Sequence, residues 1–145
     1  MERRFTISWP KWGKTIKAEL FEDQDRHFCE NFWAALPTQS IQSHAVCAGL
    51  QMYFPFRMVR PGTAPFTEPM NAQPVGRINL ELDFQYLAIN YGPMDEPVPA
   101  VPIAQIKAED LSEIETLGKL AWENLLFSDE FIAVILDKPK GDRSR

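Results

Sequence analysis

GRINLELDFQYLAINYG, from Gly76 to Gly92, decides how the chain is read. From Arg77 to Tyr86 the residues alternate without a break. Ile78, Leu80, Leu82, Phe84 and Tyr86 fall on one side, and Arg77, Asn79, Glu81, Asp83 and Gln85 on the other. Period two is the mark of a half-buried strand, because successive side chains leave a pleated backbone on opposite faces. The parity then slips, and Leu87, Ile89 and Tyr91 become the large apolar positions. A regular strand cannot change phase without sending its core face to solvent. The backbone therefore turns or bulges between Leu82 and Leu87. We read a hairpin that turns near Asp83-Phe84-Gln85, with strand segments at 77–82 and 87–91. Its polar set, Arg77, Asn79, Glu81 and Asp83, is expected to face outward.

Outward from this hairpin lie two proline-rich stretches. Pro55, Pro61, Pro65, Pro69 and Pro74 punctuate the first, and Pro93, Pro97, Pro99 and Pro102 the second. The first, Pro55 to Val75, is longer than structureless loops usually are, which predicts a functional role or a short hidden strand. Upstream, Phe5, Ile7 and Trp9, then Ile16, Ala18 and Leu20, alternate around a turn at Pro10–Lys14 and predict an opening hairpin. Asp23 or Asp25 offers a cap for a helix through Leu36, with Phe28, Cys29, Phe32, Trp33 and Leu36 on its apolar face. Ile41–Val46 reads as a strand, and the next run sets Leu50, Met52 and Phe54 against Gln51 and Tyr53. Downstream, Val101–Ile106 reads as a strand and Ala108–Leu125 as a second helix with Leu111, Ile114, Leu117, Gly118, Ala121, Trp122 and Leu125 on one stripe. Trp122, like Trp33 and Phe32, is assigned to the core. Phe131–Leu136 reads as a strand covered on both faces. Seven or eight strands and two helices predict a mainly β protein, a closed or nearly closed antiparallel barrel with the helices at its open ends.

The 145 residues suit one domain, residues 1–137, with a basic tail at 138–145 that holds Lys138, Lys140, Arg143 and Arg145. A net charge of -5 with scattered cations argues against nucleic acid as a partner. No apolar run is long enough to span a membrane. Two cysteines, Cys29 and Cys47, and no apolar leader predict free thiols in a cytoplasmic protein. Large apolar residues at loop positions (Phe56, Phe66, Met70, Met94 and Val98) predict a homo-oligomer.

The order of elements is similar to that of a known family. A helix ends in Leu36-Pro37, and a strand carries Ala48-Gly49-Leu50-Gln51-Met52-Tyr53-Phe54. A proline-rich loop follows with Glu68 and Asn71. Pro74-Val75-Gly76 then leads into a hairpin closing on Asn90-Tyr91-Gly92. Over roughly residues 4–137 this resembles the cyclophilin-like superfamily, in particular a group of small bacterial single-domain proteins of unknown function. The resemblance implies an eight-stranded cyclophilin-type barrel. It does not extend to prolyl isomerase activity, because the F-M-x-Q-G-G tract of true cyclophilins is missing.

Candidate chemistry is sparse. His44 and Cys47 stand three apart, which on a strand points them to opposite faces, although a thiolate–imidazole pair must touch. Cys29 lies on an apolar helix face, where a thiol behaves as a small hydrophobe. Two histidines and no C-x-x-C imply no metal site, and no phosphate loop or nucleophile elbow implies a cofactor. Glu68 and Asn71 stand in the stiff loop. Glu68 either pairs with Arg57, Arg60 or Arg77, or serves as acid-base beside Tyr53 or His44. Gln51, Asn71 and Tyr91 are the candidate ligand-binding residues. The face holding Gln51 and Tyr53 is either a pocket wall, a subunit contact or solvent-exposed. The leading expectation is an oligomeric barrel that binds a small polar metabolite bearing amide or carboxylate groups. The competing one is a hydrolase, lyase or isomerase with Glu68 as general base, and a third is a non-catalytic subunit of a larger enzyme.

Overall fold

The slip in parity resolves as a turn at residues 82–85 between two antiparallel strands. In the computed structural model, which describes residues 2–60, 62, 65–128 and 130–141, the first half of the chain forms β1 (Arg4–Trp9), β2 (Lys14–Leu20), α1 (Arg26–Ala34), β3 (Thr38–Ile41), β4 (Ser43–His44) and β5 (Gly49–Pro55). The second half forms β6 (Glu68–Pro69), β7 (Arg77–Glu81), β8 (Tyr86–Met94), β9 (Pro99–Ala100), β10 (Pro102–Ile106), α2 (Leu111–Phe127) and β11 (Ala133–Asp137). Pro61, Arg143 and Arg145 lie outside the described residues.

In the central hairpin Ile78 faces Ile89, Leu80 faces Leu87 and Glu81 faces Tyr86. Gln85 takes the left-handed turn position, with φ of 60°, a conformation that costs a side-chain-bearing residue about 1–2 kcal/mol. Its amide offsets that cost: Nε2 donates to the carbonyls of Leu82 (2.8 Å) and Met58 (3.0 Å), and Oε1 accepts from the Met58 N–H (2.8 Å). Residue 85 thus fastens the turn to the segment that leaves β5.

The hairpin sits inside a nine-stranded antiparallel sheet of order β3-β11-β1-β2-β10-β7-β8-β5-β4. Its two ends, β3 and β4, are consecutive in the chain, so the sheet curls into a nearly closed barrel. Gln42 stitches the seam. Its Oε1 accepts from the buried Trp9 indole (2.7 Å), and its Nε2 donates to the carbonyls of Ser43 (2.7 Å) and Tyr53 (3.0 Å). Ser40 adds a hydrogen bond across the gap to the Pro55 carbonyl (2.7 Å). The strand expected over Ile41–Val46 is therefore two short strands broken at Gln42, and the barrel has nine strands where the resemblance implied eight. The Gln42 side chain, invisible to hydrophobic patterning, turns the chain from one edge of the sheet to the other.

Inside, Phe5, Ile7, Ile16, Leu20, Met52, Phe54, Ile78, Leu80, Leu87 and Ile89 form one apolar core. Asp25 caps α1 by accepting from the Phe28 N–H (3.1 Å), and Phe28, Cys29, Phe32 and Trp33 of that helix are buried. α2 lies across the end of the barrel against β4, β5 and β8, burying Ile114, Leu117, Gly118 and Ala121. Three expectations give way here. Leu50 is exposed because a register shift between Gly49 and Gln51 rotates it off the inner face. Phe131–Leu136 is not covered on both faces: the strand begins at Ala133, Ile132, Val134 and Leu136 are buried in the core, Ala133 and Ile135 are only half-buried, and Phe131 is 84% exposed. Leu125 leaves the expected stripe, since the end of α2 overhangs the barrel and exposes Leu125, Leu126 and Phe127. Among the described residues no helix is long and apolar enough to cross a membrane.

Candidate functional site

The outward face of the hairpin is polar, as expected, yet much of it is buried. The hidden strand of the long loop is β6, which pairs with β9. Together with the turn Met70–Ala72 they make a strap over β5, β7 and β8. Beneath it Gln51, Asn79 and Asn90 are fully enclosed. Gln51 Nε2 donates to Asn90 Oδ1 (3.0 Å), and Asn90 Nδ2 and Asn79 Nδ2 both donate to Gln73 Oε1 (2.9 and 2.8 Å). Gln73 Nε2 gives its protons to Asn79 Oδ1 (2.8 Å) and Glu68 Oε1 (3.0 Å). Arg77 then grips Glu68 with two nitrogens, at 2.9 and 3.2 Å. Of the face expected to hold Gln51 and Tyr53, a segment of the same chain covers the Gln51 part. Glu68 is held in an ion pair there, and Asn71 is exposed on the strap. Tyr53 lies on the outer face against Tyr86.

His44 and Tyr91 meet elsewhere, at the barrel end closed by α2. β4 pairs with β5 and β5 with β8, which brings two residues 47 apart in sequence into contact. The Ala45 carbonyl, which can only accept, lies 2.6 Å from His44 Nδ1, so Nδ1 carries the proton. Nε2 is then an acceptor, and the Tyr91 hydroxyl donates to it at 2.6 Å. Burial pushes the His44 pKa down, against the opposing pull of the Ala45 hydrogen bond, and burial pushes the Tyr91 phenol up. Both effects favour a neutral pair. α2 approaches closely because residue 118 is glycine: a Cβ there would sit 2.4 Å from the Tyr91 ring.

Above this pair opens a cleft of about 240 Å³. His44 forms its buried floor and Val46, Leu50 and Trp122 its apolar walls, with the Trp122 and His44 ring centres 4.8 Å apart. The one acidic residue on the lining is the exposed Asp95, whose N–H is anchored to the Ala48 carbonyl at 2.9 Å. Both His44 nitrogens are engaged, so the imidazole offers no free base. The cleft thus sets ring and aliphatic surface beside one acidic residue. Cys47 is exposed nearby in sequence but makes no pair with His44, and His27 is exposed far along the chain from it. Burial pushes the Cys29 thiol up to about 12, which keeps it inert. No group of metal-ligating side chains converges among the described residues.

The chain is similar to McbB. The McbB structure, solved in complex with tryptophan, superposes with a TM-score of 0.84 at 26% identity over 97% of this chain. The chain spans 46% of McbB, about half its length. A hypothetical protein, AF2241 from Archaeoglobus fulgidus, shares the fold at a TM-score of 0.61 and 13% identity, covering 94% of this chain and 95% of that one. No family model and no curated protein matches.

The structure thus joins two of the six sequence candidates, His44 and Tyr91, and places Glu68, Gln51, Tyr53 and Asn71 apart from them. Sequence reasoning missed Trp122 and Asp95. Its stripe assigns Trp122 to the core, but the side chain lines the cleft and is only half-buried. Asp95 carried a weak signal, an acid just after the strand that holds Tyr91.

Proposed function

We propose that the chain binds a small planar metabolite of the amino-acid class, one carrying an aromatic or similarly flat group and an amine, in the cleft over His44. The observation that carries this reading is the lining itself, with an indole and aliphatic side chains for walls and a single carboxylate, Asp95, to meet a cation. The size of the cleft fits a fragment-sized ligand, and an amino acid also brings the carboxylate expected from the sequence. The similarity to McbB, a protein solved with tryptophan bound, supports the same class. The neutral, doubly hydrogen-bonded His44 supports recognition over turnover.

Isothermal titration with L-tryptophan, tryptamine and indole-3-propionate tests the reading. The first two should bind and the third should not. Asp95→Asn should weaken binding about tenfold, the effect of one exposed charge-assisted contact. Absence of binding by all three, or affinity unchanged in both Asp95→Asn and Trp122→Ala, overturns it. Self-association belongs to the same proposal, supported by the exposed Leu125, Leu126, Phe127 and Phe131. So do residence in the cytoplasm, supported by two free cysteines, and kinship with the cyclophilin-like superfamily, supported by the nearly closed barrel.

A further inference from the structure

The outer face of the central hairpin carries a row of stacked rings. Tyr53 of β5 lies 4.4 Å from Tyr86 of β8 with planes 29° apart, and Phe84 of the turn lies 5.6 Å from Tyr86 at 17°. Phe84 is 72% exposed, so the stack ends in an open ring face at the hairpin tip. Burial of apolar surface does not account for a phenylalanine placed this way.

Cross-strand from Tyr86 stands Glu81. Its carboxylate has no hydrogen bond or ion pair among the described residues, although it is half-buried. Asp83 in the turn is the charged group that acts on it, Tyr86 lies cross-strand, and Tyr86 is in turn flanked by Tyr53 on β5 and Glu96 in the segment after β8. None is a cation. A partly desolvated carboxylate without a counter-charge is unfavourable in isolation. Here it lies beside a stacked aromatic surface that attracts cations.

We propose that this face binds a guanidinium cation, stacked on the Phe84–Tyr86–Tyr53 row and paired with Glu81. A guanidinium is planar, weakly hydrated and forked, so it can extend a ring stack while donating two N–H groups to one carboxylate. An ammonium ion is compact and strongly hydrated and gains less from the rings. The site shares no residue with the cleft over His44 and stands or falls separately from it.

The test is a titration followed by NMR of aromatic and carboxyl resonances, with methylguanidinium, methylammonium and the blocked tripeptide Gly-Arg-Gly as probes. Methylguanidinium should shift the Phe84, Tyr86 and Glu81 signals saturably, with methylammonium about fivefold weaker. Binding should tighten as pH rises through the titration of Glu81, whose carboxyl is pushed up by burial and by Asp83, and level off above it. Glu81→Gln, which removes an unpaired charge and keeps the side-chain shape, should fold and lose the response; Asp95→Asn should keep it. A tripeptide that binds more tightly than methylguanidinium supports the site with an arginine-bearing polypeptide as its source. Equal affinity supports it with a free guanidino compound. Non-saturable shifts, equal response to methylammonium, or unchanged affinity in Glu81→Gln overturn the proposal.

Discussion

The pair His44–Tyr91 shows how much a single hydroxyl can decide. Tyr91 Oη donates to the unprotonated Nε2 of a buried imidazole, so it favours the neutral form of His44. Tyr91→Phe leaves that nitrogen without its donor. Stability should fall by about 1–3 kcal/mol in urea unfolding, the cost of a buried polar atom left unpaired. The His44 pKa, followed by NMR, should rise toward its ordinary value; a further fall would contradict the tautomer assigned here. At this scale the sequence was only half legible. Spacing sets His44 beside Cys47, three residues away, whereas its partners in the fold, Tyr91 and Trp122, come from β8 and α2. Local spacing carries no record of strand order, and a residue's chemistry at a site depends on strand order more than on its neighbours in the chain.

Among the elements, α2 and the strap are each positioned by one specific contact. Gly118 brings α2 down onto Tyr91, so Gly118→Ala should destabilise by about 1–3 kcal/mol through overpacking, despite a gain in helix propensity of about 1 kcal/mol. Chemical denaturation checks the sign, and a stabilised variant would refute the close approach. The strap is held by Arg77 and Glu68. Glu68→Gln should cost about 1–3 kcal/mol, between the values for exposed and buried pairs, and should leave tryptophan titration of the cleft unaltered. Loss of ligand binding with stability intact would return Glu68 to the role of a site residue. The hairpin at 77–94 was legible because period two is a local property that no distant contact is needed to produce. The break between β3 and β4 was not, because its cause is Gln42 reaching Trp9, 33 residues upstream.

For the molecule as a whole, the exposed end of α2 and Phe131 set the expectation for assembly. Of the loop residues expected to drive it, Phe56, Met70 and Met94 are buried, and the exposed apolar surface that supports it lies at Leu125, Leu126, Phe127 and Phe131. Light scattering at high micromolar concentration should show a dimer or larger species, and a monomer there would refute self-association. Acid should weaken the fold. His44 has a folded pKa below its unfolded value of 6.5, so its contribution is complete above that pH. It is lost as pH falls from there through the folded pKa, because the unfolded chain takes up the proton first. Urea midpoints measured from pH 8 to pH 5 should fall, and His44→Gln should flatten that slope. One feature of the strap also bears on how such chains diverge. Gln51, Gln73, Asn79 and Asn90 satisfy one another's donors and acceptors in an enclosed space, so replacing any one alone strands its neighbours. Among descendants of a common ancestor these four positions should therefore change in concert or not at all, leaving correlated substitutions as the trace of a hydrogen-bond circuit.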